Sequence, residues 1–257
     1  MSLFKKLAAA TVLAVFATGA AQAQETLRIG TEGAYPPFSE ITADGKLVGF
    51  DIDIANALCD EMKVKCEFIS QDWDGIIPAL LAGKYDAIVA SMSITEERKE
   101  KVDFTDKYYD TPQAIVVPKD SDITEATAES MADRSVGAQS STTHAQYAEQ
   151  IFPDSDIRLY PSADEYKLDL SSGRLDAALD DVIVLSEWVD SEDGSCCKIL
   201  TTLPGDPKIY GPGIGIAVRK GDDELREKLN AAIKAIRENG TYKKINDKYF
   251  DFDVYGG

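Results

Sequence analysis

Short apolar runs alternate with stretches of helical period along nearly the whole chain, the pattern of an α/β protein. The run at 26–30 (TLRIG) reads as a first strand, and Ile52, Leu58 and Met62 space out a helix over 51–62. A strand at 65–69, a helix at 75–82, a strand at 86–89, a short helix after Ser93 and a strand at 114–117 follow. The middle of the chain repeats the alternation, with strands at 136–138, 156–160 and 176–179 and helices at 143–151, 163–171 and 181–189. A strand at 215–218 and helices at 222–238 and 242–249 complete it. Two stretches, 110–113 and the Pro- and Gly-rich 205–213, read either as ordinary loops, which Pro and Gly also mark, or as crossovers between lobes, since a chain that leaves a lobe and returns builds a two-strand hinge. On the crossover reading the expected division is 24–109 with 214–257 as a discontinuous first lobe and 114–204 as the second.

The first 23 residues stand apart from this pattern. Lys5 and Lys6 precede an apolar stretch from Leu7 to Ala21, and Ala21-Gln22-Ala23 has the small-x-small form of a signal-peptidase site. Cleavage is expected before Gln24. A membrane anchor is the alternative, but spanning takes about 20 predominantly apolar residues and this run is shorter. The expected location is the periplasm.

The formal charge is −18, and removing Lys5 and Lys6 makes the mature chain more acidic still. Such a surface repels phosphate backbones and anionic membranes, so neither nucleic acid nor a membrane is an expected partner. It is compatible with a cationic ligand, and equally with acidity as a solubility device.

Four cysteines in an exported chain suggest disulfides. Cys59 falls near the end of a helix and Cys66 opens the next strand, so a tight turn brings them together. Cys196 and Cys197 are neighbours in a polar loop, and the sequence leaves their pairing open. With His144 as the one histidine and no ligand spacing around the cysteines, no metal or other cofactor is expected.

Gly49-Phe50-Asp51-Ile52-Asp53-Ile54, with Leu58, Cys59 and Met62 behind it, resembles the signature of the family 3 extracellular solute-binding proteins. The physics of the segment is sensible, since Asp51 and Asp53 at a helix N-terminus favour its dipole while Phe50 and Ile52 can enter the core. The stretches 30–38 (GTEGAYPPF), 72–80 (DWDGIIPAL), 86–88, 93–98, 173–178 and 240–250 match further blocks of that family in order and spacing. The resemblance covers nearly all of the mature chain. It implies a type II periplasmic binding protein of two lobes, each a mixed sheet flanked by helices. Within the family the chain resembles lysine/arginine/ornithine- and histidine-binding proteins, which also share a disulfide at the position of Cys59 and Cys66.

The implied function is binding of arginine, lysine or ornithine for an ABC transporter. The partners are the small amino acid and the membrane permease subunits, and the chain is expected to act as a monomer without catalysis. Arg98 is the candidate for the ligand carboxylate, because a guanidinium forms a planar bidentate pair with it. Alone it would read as a surface arginine in the charged run 96–101; Ser93-Ile94-Thr95 before it matches the family's ligand-facing turn. Thr142 and Thr143 precede a helix whose free N–H groups suit a carboxylate, though a plain N-cap explains them too. Asp181, with the backbone carbonyl of Ser91, is the candidate for the ligand ammonium. The resemblance implies that Tyr35 and Trp73 sandwich the ligand side chain and that Glu32 pairs with its distal cation. Ala90, Glu32 and His144 depart from the subgroup, where serine, aspartate and glutamine stand. The rival readings are a histidine, glutamine or opine binder and, from the enzymes, a periplasmic cyclohexadienyl dehydratase using a site carboxylate for acid–base chemistry.

Overall fold

The computed structural model describes residues 24–256, so the expected signal segment lies outside the described residues. Two five-stranded mixed sheets carry the fold. The first has the order β5 (Lys65–Ser70), β1 (Thr26–Thr31), β6 (Ala87–Ile88), β13 (Ile214–Arg219), β7 (Val102–Tyr109). β1 runs parallel to β5 and β6, while β13 is antiparallel to β6 and β7. The second sheet has the order β10 (Asp156–Tyr160), β9 (Ser135–Gln139), β11 (Ala177–Asp181), β8 (Gln113–Pro118), β12 (Cys197–Leu203). Here β9 is parallel to β10 and β11, and β8 is antiparallel to β11 and β12. A small antiparallel sheet of β2 (Ala34–Tyr35), β3 (Ser39–Ile41) and β4 (Leu47–Val48) flanks the first.

Of the five strands that the hydrophobic pattern does not announce, β2, β3 and β4 form the small sheet, and β7 and β12 are edge strands of the two large ones. Their apolar positions alternate irregularly with Asp, Thr and Lys, and each carries a register shift against its partner. An edge strand keeps one side open to water, so the pattern that marks a buried strand is weakened there.

The helices pack as their periodicity predicts. In α1 (Phe50–Met62) the residues Phe50, Ile54 and Leu58 fall on one buried face. The helix ends at Lys63 in the left-handed region, φ 59°, and the turn brings Cys59 and Cys66 into a disulfide with Cα atoms 5.8 Å apart. α9 (Asp223–Glu238) buries Leu229, Ala232, Ile233 and Ile236 against α1. α2 (Trp73–Leu81), α3 (Glu96–Lys99) and α10 (Thr241–Tyr249) complete the first lobe, and α4 (Ala128–Met131), α5 (Thr143–Ile151), α6 (Ala163–Ser171) and α7 (Val182–Asp190) flank the second sheet. The sulfurs of Cys196 and Cys197 face each other across one peptide where the chain enters β12.

Two connections join the sheets, from Tyr109 to Gln113 and from Leu203 to Ile214. The second is not simply extended. Asp206 accepts from the Lys208 N–H at 2.9 Å and Pro207 opens a single turn, α8 (Pro207–Tyr210), because Asp at the N-cap and Pro at the first helical position favour it. Among the described residues no helix is long and apolar enough to cross a membrane, and no cluster of side chains has the make-up of a metal site.

Candidate functional site

The C-terminal ends of the parallel strands in both sheets converge on one cleft, the place where open α/β sheets present ligand-binding loops. Glu32 follows β1, Ser91 and Ser93 follow β6, Gln139 ends β9 and Asp181 ends β11. A cavity between the sheets is lined by Glu32, Tyr35, Trp73, Ser91, Ser93, Arg98, Thr142, Thr143 and Asp181, together with Ala90, Gln139, His144 and residues of both connections. All nine residues singled out from the sequence therefore meet in one place.

The walls are tied across the cleft. Gln139 Nε2 donates to Glu32 Oε1 at 2.6 Å, and the Tyr35 hydroxyl donates to Asp180. Ser141, held at φ 58°, turns its carbonyl toward the first lobe, where it accepts from Trp73 Nε1 and from Arg98, each at 3.2 Å. Ser93 and Thr143 join their hydroxyls at 3.2 Å. These contacts draw the two lobes closed around the cavity.

Arg98 gives its other described bond to the Ser93 carbonyl, at 3.0 Å, and its guanidinium lies 5.3 Å from the Trp73 ring centroid. Its side-chain bonds go to carbonyls and it lies over an aromatic ring; burial lowers its pKa to about 10, with the Glu97 charge opposing. The Thr142 hydroxyl is committed to local structure: it caps α5 by accepting from Ala145 N–H at 3.1 Å and donates to the Gln139 carbonyl at 2.6 Å. What that helix end offers a ligand is the N–H groups of its first turn, which have no intrahelical partner. Asp181 likewise caps α7, accepting from Ile183 N–H at 2.7 Å and from the Thr111 hydroxyl. A carboxylate has about four lone-pair sites, so capping and ligand contact coexist.

Burial pushes the Asp181 carboxyl up to about 7 against the pull of those donors. Burial likewise raises Glu32 to about 7, with the Gln139 hydrogen bond opposing and the Asp180 charge adding to the rise. Among the described residues neither carboxylate is in a salt bridge, and Arg98 is in none either. His144 places Nδ1 3.2 Å from Asp180 Oδ1; burial lowers its pKa, Asp180 opposes and Arg98 reinforces the fall.

Tyr35 and Trp73 both line the cavity, and Tyr35 is anchored from behind. Tyr35 stacks on Phe38 at 6.0 Å, and Phe38 in turn stacks on Tyr109 at 4.7 Å. Sequence reasoning missed Gln139, the cavity residues of the two connections (Tyr109 to Thr111, Tyr210, Gly213 and Ile214), and the inner role of Asp51. Gln139 had a signal, since it stands at a strand end three residues before an N-cap. Asp51 was read as a dipole partner, but its carboxylate points inward to Ser91.

Residues 27–252 match the model of the bacterial extracellular solute-binding proteins, family 3. The chain is 46% identical to the L-arginine-binding protein of Pseudomonas aeruginosa, over 98% of this chain and 99% of that one. It is 40% identical to the histidine-binding periplasmic protein of Escherichia coli K12, over 100% and 98%. An ancestral arginine-binding protein solved with arginine superposes with a TM-score of 0.82 at 41% identity, covering 88% of this chain and 99% of that one.

Proposed function

The chain belongs to the bacterial extracellular solute-binding proteins, family 3, and from that premise we propose that it carries a basic L-amino acid to an ABC transporter. The observation that carries the reading is a charge count. Among the described residues, three charged side chains of this cavity are in no salt bridge: one cation, Arg98, and two anions, Asp181 and Glu32. Asp110, also in the lining, faces Lys107 at 4.0 Å. A buried charge without a partner is costly, so the cavity is complementary to a guest bearing one anion and two cations. Arginine, lysine and ornithine have that make-up.

The roles follow from placement. Arg98 and the first-turn N–H groups of α5 take the carboxylate, while Asp181 and the Ser91 carbonyl take the α-ammonium. Glu32 meets the distal cation, with Tyr35 and Trp73 beside the aliphatic stem. The guest bridges the lobes and favours closure by binding the closed form better than the open one. The closed form then docks on the permease, and the leader at 1–23 delivers the chain to the periplasm as a monomer. The function is binding rather than catalysis.

A thermal-shift series tests this on the mature protein stripped of ligand. Arginine, lysine and ornithine are expected to raise the melting temperature, and glutamate and aspartate to leave it unchanged. Equal stabilisation by glutamate and arginine contradicts the charge count. Histidine is the second reading, favoured by the 40% identical histidine-binding relative, and belongs in the same series.

A further inference from the structure

Tyr210 ends the single turn α8 in the second connection, and its ring lines the cavity. Its hydroxyl oxygen is buried and has no hydrogen-bond partner among the described residues. Among the described residues two other buried side-chain atoms share that state, Thr31 Oγ1 and Arg226 Nε, and neither residue belongs to the cavity lining. No protein group satisfies this hydroxyl, and its place in the cavity lining leaves it available to a guest.

The ring has been fixed rather than left to drift. It packs 5.6 Å from the His144 ring and 5.3 Å from the Tyr147 ring, and the Tyr147 hydroxyl donates to the Pro204 carbonyl at 2.8 Å. The connection is thus pinned to α5 at both ends of the turn. His144 sits in the first turn of α5, next to Thr143, and its Nδ1 lies 3.2 Å from Asp180 Oδ1. The ring therefore lies against the helix end whose N–H groups are assigned to the ligand carboxylate.

We propose that Tyr210 is a ligand-contact residue whose hydroxyl bonds to the α-ammonium or α-carboxylate head that all amino-acid guests share, an inference that rests on the function proposed above. A phenol serves either group, as acceptor to the first or donor to the second. The contact also has a mechanical side. Three residues on, the Gly213 carbonyl accepts from Ile94 N–H at 2.9 Å, within the turn that carries Ser93. One segment therefore touches the guest, the ligand-facing turn of the first lobe and α5 of the second, so occupancy is felt by the hinge itself.

The experiment is calorimetric titration of the mature protein and Tyr210→Phe with arginine, lysine and ornithine, alongside melting curves without ligand. Removing one oxygen should weaken all three ligands by about tenfold, the scale of one hydrogen bond to a charged group. The factor should be the same for the three, because the head is common to them. The ligand-free variant should melt no lower than the parent, since the oxygen has no protein partner to lose. Unchanged affinity, a loss that differs several-fold between the ligands, or a destabilised ligand-free variant each overturns the assignment. A parent protein that binds none of the three refutes the transport reading, and this inference with it; a parent that binds while the variant binds equally refutes the role of Tyr210 alone.

Discussion

The backbone N–H of Ser91 donates to Asp51 Oδ2 at 2.8 Å, and the Ser91 hydroxyl donates to the same oxygen at 3.1 Å. Ser91 stands at φ 51°, a left-handed conformation that costs a non-glycine residue and persists only where its surroundings hold it. The Tyr108 hydroxyl donates to the other oxygen at 2.8 Å. The acid of the Gly49-Phe50-Asp51 motif is thus a positioning residue: it fixes the turn whose carbonyl is assigned to the ligand ammonium.

Asp51→Ala leaves the Ser91 N–H and the Tyr108 hydroxyl without their acceptor, each worth about 1–3 kcal/mol when buried. Loss of at least about 2 kcal/mol in chemical denaturation is expected, with weakened arginine binding in the protein that still folds. Asp51→Asn keeps one acceptor oxygen and should retain more of both. Equal stability of parent and alanine variant argues against this role.

Glu32→Gln removes the charge assigned to the ligand's distal cation while keeping the shape that meets Gln139. Arginine affinity should fall roughly 30-fold, about 2 kcal/mol, as expected when one partner of a buried charge pair is lost. Glutamine, whose side chain carries no charge, should change less than threefold. Titration calorimetry with both ligands gives the comparison.

Burial raises Glu32, Asp51 and Asp181 to about 7 in the folded protein. Each folded value lies above that of a free carboxyl, so each contribution to stability is full below about pH 4 and is lost as pH rises through about 7. The ligand-free protein should therefore unfold more easily at pH 8 than at pH 5. A cationic guest favours the ionised acids, so arginine should bind more tightly from pH 6 to pH 8 and release protons on binding. Titrations in buffers of different ionisation enthalpy count those protons, and uptake instead of release would falsify the pairing of acids with ligand cations.

Gly211 occupies φ 69°, and a Cβ there would lie 1.7 Å from the Ile94 carbonyl oxygen. That carbonyl belongs to backbone in the ligand-facing turn, which cannot swing aside as a long side chain can. Gly211→Ala should cost about 2–4 kcal/mol of stability by thermal melting. Gly83→Ala, also at positive φ but with open space around it, should cost less; equal losses would show that conformation alone, and not the approach to the turn, sets the penalty.

The cysteine pair is expected to act through the unfolded chain. Cys59 and Cys66 are seven residues apart, and opening so short a loop costs about 2–3 kcal/mol in the chain-entropy model. Replacing both by serine should lower stability by that amount and leave arginine affinity within twofold, since neither residue lines the cavity.

Much was determined by the sequence alone. Helical spacing in 51–62 and 222–238 and the apolar runs at 26–30 and 136–138 expose elements whose faces are decided locally, by which side chains avoid water. The motifs between Gly30 and Arg98 name Glu32, Tyr35, Trp73, Ser93 and Arg98, and the residues read beside them, Ser91, Thr142, Thr143 and Asp181, bring to nine those that share one cavity. Tertiary structure decided the rest. The edge strands β7 and β12 exist because a neighbour pairs with them, not because their own pattern demands it. Gln139 reaches Glu32 only when two lobes meet, and Asp51 serves Ser91 forty positions away only because β6 ends where α1 begins. Tyr210 becomes a cavity wall by the path of a connection that the sequence marks as a crossover without saying which of its side chains face the cleft. Burial and pairing are properties of neighbours in space, and a linear pattern records neighbours only along the chain.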